Sequence, residues 1–307
     1  MRGMADLVNE FSWSRSRDGT FQDCRRKYFY HYYASWGGWE ATASEEVRRL
    51  YILKQLMSRQ QWAGRVVHDT IELALQGLRN GRTVPVEPFI ADVIERMRGE
   101  WRSSKAARYR DTPKSVALFE HEYSVELSPE AWRALSQNVA TCLRNFFRLP
   151  LLVAIRRTSP EHWSIEHWSK VFNFESTQVW VAPDFGFWTP EGRLGLVDWK
   201  TGGAPAEGAA FQLGCYALYA REVLGVAPAQ VDLYEANLRE PLVTPHRWDD
   251  ERLEAVKEQL RLSIRSMRAY LADPEANIAV ITDFERTEDL RICKWCNFRA
   301  VCRPELT

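Results

Sequence analysis

The sequence predicts an α/β fold in which a compact, strand-containing core is joined to largely helical regions. Before about residue 160, apolar residues recur at helical spacing, whereas after it short stretches rich in β-branched and aromatic residues appear. Helical periodicity returns over 206–224 and over 250–271, so the second half mixes strands with helices. Hydrophobic residues make up 45% of the 307 residues, which is enough to bury a core and excludes wholesale disorder.

The first half of the chain predicts helices. Residues 12–33 predict a short helix with a basic face and an aromatic face. Residues 45–79 read as helix, and its apolar spacing places His68 on the face that points towards the core. Two further helices with arginine-rich outer faces are predicted over 86–101 and 130–148.

The second half predicts four strands around one helix. Strand-like alternation begins within 162–174, and a second strand is predicted over 178–183. Proline and glycine in 189–193 indicate a hairpin turn, which leads into a third strand over 194–199. The helix over 206–224 comes next, and the fourth strand follows over 231–238. The predicted order of the core is therefore helix, three strands, helix, strand.

These patterns divide the chain into three segments of one interwoven domain. We expect a mainly helical lobe over 1–160, the strand-containing core over 161–245, and a C-terminal helix with a cysteine-rich tail over 246–307.

Charge and targeting signals restrict the function only weakly. The formal net charge is zero, but Arg and Lys total 41 and only eight of them are Lys. Arginine binds phosphate bidentately and stacks on bases, although a genome rich in G and C would give the same bias. No leader-like start and no apolar run long enough to span a membrane is present, so the sequence predicts a cytoplasmic protein without a membrane partner.

Two aspartates and a lysine form the most informative motif. Asp184 is predicted to end one strand, while Asp198 and Lys200 lie two residues apart on the next, and so on one face. A hairpin between the strands would bring both carboxylates together, where they attract a hard divalent cation such as Mg²⁺ or Mn²⁺. An ordinary surface ion pair is the alternative, because a lone Asp-x-Lys is common.

The neighbouring motifs resemble those of the PD-(D/E)XK nuclease superfamily, and in particular its RecB-like branch. The chain has the literal pair Pro183–Asp184, then Asp198-Trp199-Lys200 after a hairpin, and then Thr201-Gly202. It also has the helical GxxxH motif of that branch before the core and its QxxxY motif after the lysine, formed by Gly64 with His68 and by Gln212 with Tyr216.

The resemblance implies a restriction-endonuclease-like core and a role for each motif residue. His68, Asp184 and Asp198 would bind Mg²⁺ or Mn²⁺, helped by the backbone carbonyl of Trp199, and Lys200 would be the catalytic lysine. Gln212 and Tyr216 would position the lysine region or the nucleic acid. The chain has Val181 where many relatives have a glycine, a departure that we expect to change local geometry rather than activity. Glu166, on the preceding predicted strand, is a further candidate for the site.

Four of the six cysteines form a second pattern. Three of them have the spacing C-x2-C-x5-C in the tail, and a fourth lies far upstream; they are Cys24, Cys293, Cys296 and Cys302. The tail spacing suits zinc and iron–sulfur chemistry equally. The arrangement resembles AddB-type nucleases and those of CRISPR adaptation, which implies a 4Fe-4S cluster that staples the tail to the N-terminal region, with zinc as the alternative. Cys142 and Cys215 lie outside this pattern and are interpreted as small core residues.

Two segments that mix basic and aromatic residues, 25–33 and 96–110, indicate a nucleic-acid surface, or else a solvated helix face with buried aromatic residues. Their candidate contact residues are Arg25, Arg26, Lys27, Arg102, Lys105 and Arg108.

The sequence therefore predicts a Mg²⁺- or Mn²⁺-dependent deoxyribonuclease, an exonuclease or an endonuclease, acting on single-stranded or unwound DNA. Repair, recombination and antiviral defence all use nucleases of the resembled type. The alternative is an inactive nucleic-acid-binding or scaffold subunit that keeps the fold. Because no Walker motif is present, any helicase or ATPase activity would belong to a separate partner, such as a member of a defence complex.

Overall fold

A computed structural model describes residues 7–164, 170–202 and 208–306. These residues form two β-sheets packed among helices, so the α/β prediction is confirmed. One sheet has five strands and the other has three.

The N-terminal segment is more broken than the single predicted helix. A strand, β1 (Ser12–Ser14), leads into α1 (Arg15–Asp23) and α2 (Arg25–Phe29), and a π-helical turn covers Tyr30–Ala34. The break falls at Cys24, whose backbone is extended, with φ of −165°. The sequence pattern missed this break because the apolar and basic positions keep helical spacing across it.

The helical region that follows includes the longest helices. The predicted helix over 45–79 is in fact α3 (Glu45–Lys54) and α4 (Arg59–Arg79). Ser58 begins α4 with a reciprocal cap, since its side chain accepts the N–H of Gln61 and the Gln61 side chain accepts the N–H of Ser58. The remaining helices of this region are α5 (Val86–Lys105), α6 (Phe119–Glu122), α7 (Pro129–Arg148) and α8 (Pro150–Ile155).

The sheets are formed almost entirely by the second half of the chain. The five-stranded sheet has the order β2-β5-β6-β7-β8, in which only the β6–β7 pair is parallel. The three-stranded sheet has the order β1-β4-β3, with β1 parallel to β4. The strands are β2 (Trp163–Ser164), β3 (Lys170–Phe174), β4 (Thr177–Val181), β5 (Phe185–Trp188), β6 (Leu194–Lys200), β7 (Val231–Asn237) and β8 (Leu242–His246).

The predicted strand order is wrong at one point. The strand predicted over 178–183 ends earlier, as β4, and belongs to the smaller sheet. The hairpin partner of β6 is instead β5, joined to it by the predicted turn over 189–193. Asp184 therefore does not end a strand: it lies in the bend between β4 and β5. The short Phe-Gly-Phe-Trp stretch escaped detection because the proline before it and the turn after it leave only four residues.

Two hydrophobic cores cover the two faces of the five-stranded sheet. Along β6, Val197 and Trp199 pack with α4, α5 and α7, whereas Leu194 and Leu196 pack into a second core. That second core contains α9 (Ala209–Glu222) and α10 (Asp250–Arg268), which correspond to the predicted helices over 206–224 and 250–271. The central strand β6 thus carries side chains to both cores, and the even-numbered positions face α9.

The tail packs back onto the N-terminal helices. It contains α11 (Leu290–Lys294) and α12 (Arg299–Cys302). The Arg26 backbone N–H donates to the carbonyl of Glu285, and its guanidinium donates to that of Phe284. Within the described ranges no helix is both long and apolar enough to span a bilayer.

Candidate active site

The GxxxH helix and the bend before β5 meet at His68 and Asp184. His68 lies on α4 and contacts Asp184 through its Nδ1 atom, 2.9 Å from Oδ1. The His68 side chain is 32% exposed, so it borders the site instead of being enclosed in the apolar core. The other oxygen of Asp184 accepts the backbone N–H of Trp199 at 2.7 Å. That contact joins Asp184 to the strand that carries the second aspartate.

Asp198 and Lys200 lie on the α9 face of β6, as strand alternation predicts. The Lys200 Nζ atom is 2.5 Å from Asp198 Oδ2. Asp198 is only 4% exposed, whereas the Lys200 side chain is 23% exposed. Lys200 is therefore positioned at the mouth of the site, with Asp198 behind it.

Gln212 and Tyr216 reach Asp198 from α9. The Gln212 amide donates to Asp198 Oδ1 at 3.1 Å and to the Tyr216 hydroxyl at 2.6 Å. The Tyr216 oxygen also lies 3.2 Å from Asp198 Oδ1 and 3.0 Å from the carbonyl oxygen of Ala182. Since the hydroxyl has one proton, it donates to one of these acceptors at a time. The pair holds Asp198 and also contacts the segment that leads to Asp184.

The two carboxylates affect each other electrostatically. Burial, and next the charge of Asp184, raise the pKa of Asp198 from 3.8 to about 6, although Lys200 and His68 oppose the rise. Burial lowers the pKa of His68, but the charge and hydrogen bond of Asp184 outweigh it, and the net pKa lies above 6.5. Burial, followed by the charge of Asp198, raises the pKa of Tyr216 well above 10, so its hydroxyl stays protonated. The site thus concentrates negative charge that two cationic side chains partly neutralise.

Steric crowding explains why the first position of the GxxxH motif is a glycine. A Cβ atom on Gly64 would lie 3.3 Å from the Thr201 hydroxyl, which is tighter than ordinary van der Waals contact. Gly64 lies one helical turn before His68, on the same face of α4. The glycine therefore lets the helix approach the end of β6 closely enough for His68 to reach Asp184.

Sequence reasoning missed one contributor to the site and one acidic residue next to it in the sheet. The Trp199 N–H that fixes Asp184 is a backbone group, and the sequence interpretation invoked only the carbonyl of that residue. Glu235 pairs in register with Asp198 across the parallel β6–β7 ladder and lies on the same face, which only the sheet order reveals.

Val181 is buried in β4 and packs in the second core. Glu166 lies outside the described residues.

The four patterned cysteines come together from both ends of the chain. They line one small cavity, together with the cationic side chains of Lys27, Arg286, Arg299 and Arg303. Burial raises the pKa of Cys296 to about 11 and also raises that of Cys302. Cys142 and Cys215 are buried elsewhere, one in each of the two large cores. Nowhere in the described ranges are three or more His, Cys, Asp or Glu side chains arranged to hold a metal ion.

The predicted nucleic-acid residues have different surroundings. Arg25 and Arg26 are used within the protein, where they donate to the carbonyls of Phe21 and Phe284. Lys27 pairs with Asp23, and Arg102 pairs with Glu95. Lys105 lies over the Trp101 ring, and Arg108 is exposed.

Comparison with known proteins agrees with the motifs. No curated protein matches the sequence significantly. The family model described as the PD-(D/E)XK nuclease superfamily matches residues 12–303, which is nearly the whole chain. The match covers the strands of both sheets, the helices of both cores and all four patterned cysteines. The chain belongs to the PD-(D/E)XK nuclease superfamily.

Proposed function

We propose that the protein is a DNA nuclease of the RecB-like branch, which hydrolyses phosphodiester bonds with Mg²⁺ or Mn²⁺. The observation that carries the proposal is the convergence of α4, the bend before β5, β6 and α9 on one pair of carboxylates. An ordinary surface ion pair would not be contacted by residues from four separate elements. The motif residues also occur in the order of the branch, GxxxH before the carboxylates and QxxxY after them.

The donor types at this site suit a divalent cation, although in the part of the chain that the structure describes their side chains contact one another and do not form a three-ligand group. Asp184 and Asp198 are close enough that the charge of one raises the pKa of the other, a repulsion that a bound cation removes. His68 adds an imidazole nitrogen next to Asp184. We therefore propose that His68, Asp184 and Asp198 bind the cation. When bound, it supplies the Lewis acidity that polarises a phosphodiester and makes water a better nucleophile near neutral pH.

The protein side chains have separate roles in this proposal. Lys200, at the mouth of the site, orients the attacking water or offsets the charge that develops on the phosphate. Gln212 and Tyr216 are positioning residues, because they contact Asp198 and the backbone at Ala182. Their hydrogen bonds hold the Asp198 carboxylate in one orientation, as partners of metal-binding carboxylates do in general.

A nuclease assay tests the proposal. Labelled single- and double-stranded DNA is incubated with wild type, Asp198→Ala and Lys200→Ala, with Mg²⁺, with Mn²⁺ or with EDTA. We expect cleavage by wild type only when a divalent cation is present, and at least a hundredfold loss in both variants, in line with the loss of charge stabilisation at a reacting centre. Equal cleavage by all three proteins would refute the site. The Lys114→Gln variant, at an exposed residue elsewhere, is the matched control for loss of a lysine.

We further propose that the four patterned cysteines bind a 4Fe-4S cluster. Four thiols from both chain ends line one cavity surrounded by cations, which suits an anionic thiolate-bound group. Zinc is the alternative, because the same donors suit it. The cluster would link Cys24 to the tail and stabilise the fold by restricting the unfolded chain. This link, and the pairing of β1 with β4, support a single interwoven domain formed by 1–160, 161–245 and 246–307.

Iron analysis separates the two cofactors. Protein purified without oxygen is expected to be brown, to contain about four iron atoms per chain, and to contain little zinc. We expect Cys24→Ala to be colourless and poorly soluble, while Cys142→Ala, at a buried cysteine outside the pattern, keeps the colour. A colourless wild type with one zinc ion would establish the alternative, and soluble brown Cys24→Ala would refute the role of Cys24.

An inactive DNA-binding or scaffold subunit is the competing function. Its distinguishing result is metal-independent DNA binding without cleavage under all conditions of the assay. The site favours the active enzyme because both aspartates and the lysine are present, Lys200 contacts Asp198, and the charge of Asp184 reaches Asp198. We place the protein in the cytoplasm, acting on single-stranded or unwound DNA in repair, recombination or defence, with any helicase or ATPase supplied by a partner.

A further inference from the structure

A polar cleft of about 620 Å³ lies beside the start of α4. Its walls come from four parts of the chain: the α1–α2 region with the π-helical turn, the α3–α4 junction, the start of α6, and the cysteine-rich tail. The cleft is open to solvent and differs from the cysteine cavity, although Lys27 borders both.

The cleft has an excess of positive charge. Lys27, Lys54 and Arg59 line it, and Glu120 is the acidic residue among its lining residues. Both oxygens of Glu120 already accept the backbone N–H of Arg59, and Lys27 pairs with Asp23. Among the residues that the structure describes, no carboxylate pairs with Lys54, and burial, followed by the charge of Arg17, lowers its pKa.

A second cation without an acidic partner, Arg17, lies near the same aromatic ring as Lys54. Arg17 is only 6% exposed, and it donates to the hydroxyls of Tyr28 and Ser12 instead of pairing with an acid. Its guanidinium lies 4.4 Å from the centre of the Tyr32 ring, and Lys54 lies 5.6 Å from the same ring. Burial, with the nearby cations Lys54, Lys27 and Arg17, lowers the pKa of His31, another cleft residue, to about 3. Buried cations without acidic partners are unusual, and they favour an anionic ligand.

An exposed tryptophan completes the cleft. Trp295 is 52% exposed and packs with one part of its ring on Phe119, at a centroid distance of 5.5 Å. It stands between Cys293 and Cys296, so the cysteine site fixes the loop that carries it. An aromatic ring at the edge of a cationic groove is the combination that binds single-stranded nucleic acid, since bases stack on the ring and phosphates contact the cations.

One helix, α4, carries residues of both the cleft and the candidate active site. Gln61 lines the cleft, and His68 lies seven residues later on α4, which is two helical turns further on the same face. The rise of an α-helix gives a separation of about 10 Å along the axis.

We propose that this cleft binds unpaired nucleotides of the DNA strand, with a backbone phosphate at Lys54 and a base stacked on Trp295. The inference rests on the proposed nuclease function and names the surface that receives its substrate. It assigns the cysteine-rich tail a second role, because the loop between Cys293 and Cys296 forms one wall of the substrate path.

Binding of a fluorescent thymidine oligonucleotide, measured in EDTA to prevent cleavage, tests the phosphate contact. We expect Lys54→Gln to weaken binding and to lower the slope of log affinity against log salt by about 0.7, the contribution of one phosphate contact on a single strand. Lys54→Arg should keep the slope, and Lys114→Gln should leave it unchanged. A slope for Lys54→Gln equal to that of the Lys114→Gln control would overturn the inference.

The same measurement tests the base contact. Trp295→Ala is expected to weaken binding about tenfold, in the range known for loss of one stacked base. Trp295→Phe should keep most of the affinity, and Trp180→Ala, at an exposed tryptophan on β4 outside the cleft, should have no effect. Full affinity of Trp295→Ala would contradict the stacking role.

Wild-type protein offers a test that does not depend on folding of a variant. The oligonucleotide should protect Lys54 from acylation, read by mass spectrometry, while Lys114 reacts equally with and without DNA; equal reaction of Lys54 would overturn the inference. If wild type cleaves DNA but substitutions of Lys54 and Trp295 leave DNA binding unchanged, the inference alone fails. If the wild type binds DNA through them yet never cleaves it, the proposed activity fails and the cleft assignment remains.

Discussion

Asp198→Asn is expected to stabilise the metal-free protein above pH 6. The pKa of this carboxyl is about 6 in the folded protein and 3.8 as a free group, so between these values the folded state holds a proton that the unfolded chain has lost. The free energy of unfolding therefore falls as pH rises through this window. Above the window, the folded protein is destabilised by the full amount that corresponds to the pKa difference. The pKa difference corresponds to about 3 kcal/mol, and the neutral asparagine, which resembles the protonated acid, avoids that cost.

The assay is urea unfolding of both proteins in EDTA at pH 4, 6 and 8, followed by circular dichroism. The gain for Asp198→Asn should be small at pH 4 and approach about 3 kcal/mol at pH 8. Asp250→Asn is the matched control, because that carboxylate is exposed and pairs with Arg221, so little change is expected. If Asp198→Asn is less stable than wild type by an amount that grows above pH 6, then Lys200 stabilises the carboxylate more than burial and Asp184 destabilise it, and the reasoning is refuted.

Three further substitutions test the surroundings of the site. Tyr216→Phe should reduce activity or metal affinity about 10- to 100-fold with a stability loss of about 1–2 kcal/mol, since Gln212 loses an acceptor; unchanged kinetics would exclude a positioning role. Gly64→Ala should lower nuclease activity but change the melting temperature little, because crowding against Thr201 offsets the better helix propensity of alanine. A large gain in melting temperature with full activity would contradict this. Gly195→Ala should destabilise the fold by about 1–3 kcal/mol in urea unfolding, since the new methyl group would overlap the Phe187 ring, and a neutral result would show that the ring moves freely.

The sequence was most informative where chemistry depends on short-range periodicity. Spacing of two on a strand placed Asp198 and Lys200 on one face, and spacing of four on a helix placed Gln212 and Tyr216 together. Both relationships are present in the structure, in which Lys200, Gln212 and Tyr216 each contact Asp198. Such relationships depend only on the local backbone geometry, which the residue types themselves favour.

The sequence was less informative where pairing is long-range. The strand β1 has only three residues, and it exists because β4 provides its hydrogen bonds. Equally, no local pattern distinguishes β4 from β5 as the partner of β6, because that choice depends on how the two sheets pack. Glu235 was overlooked for the same reason, since its position beside Asp198 follows from sheet order.

The pairing of the first strand with β4 also imposes an order of events during synthesis. Ser12 lies opposite Gln178, so at typical translation rates roughly 10–30 s separate the appearance of the two residues. During this time the N-terminal strand lacks its partner. The interval between synthesis of Cys24 and of Cys293 is longer still. If the proposed iron–sulfur group is present, its incorporation would wait until residues 293–302, which carry three of its four cysteines, have been synthesised.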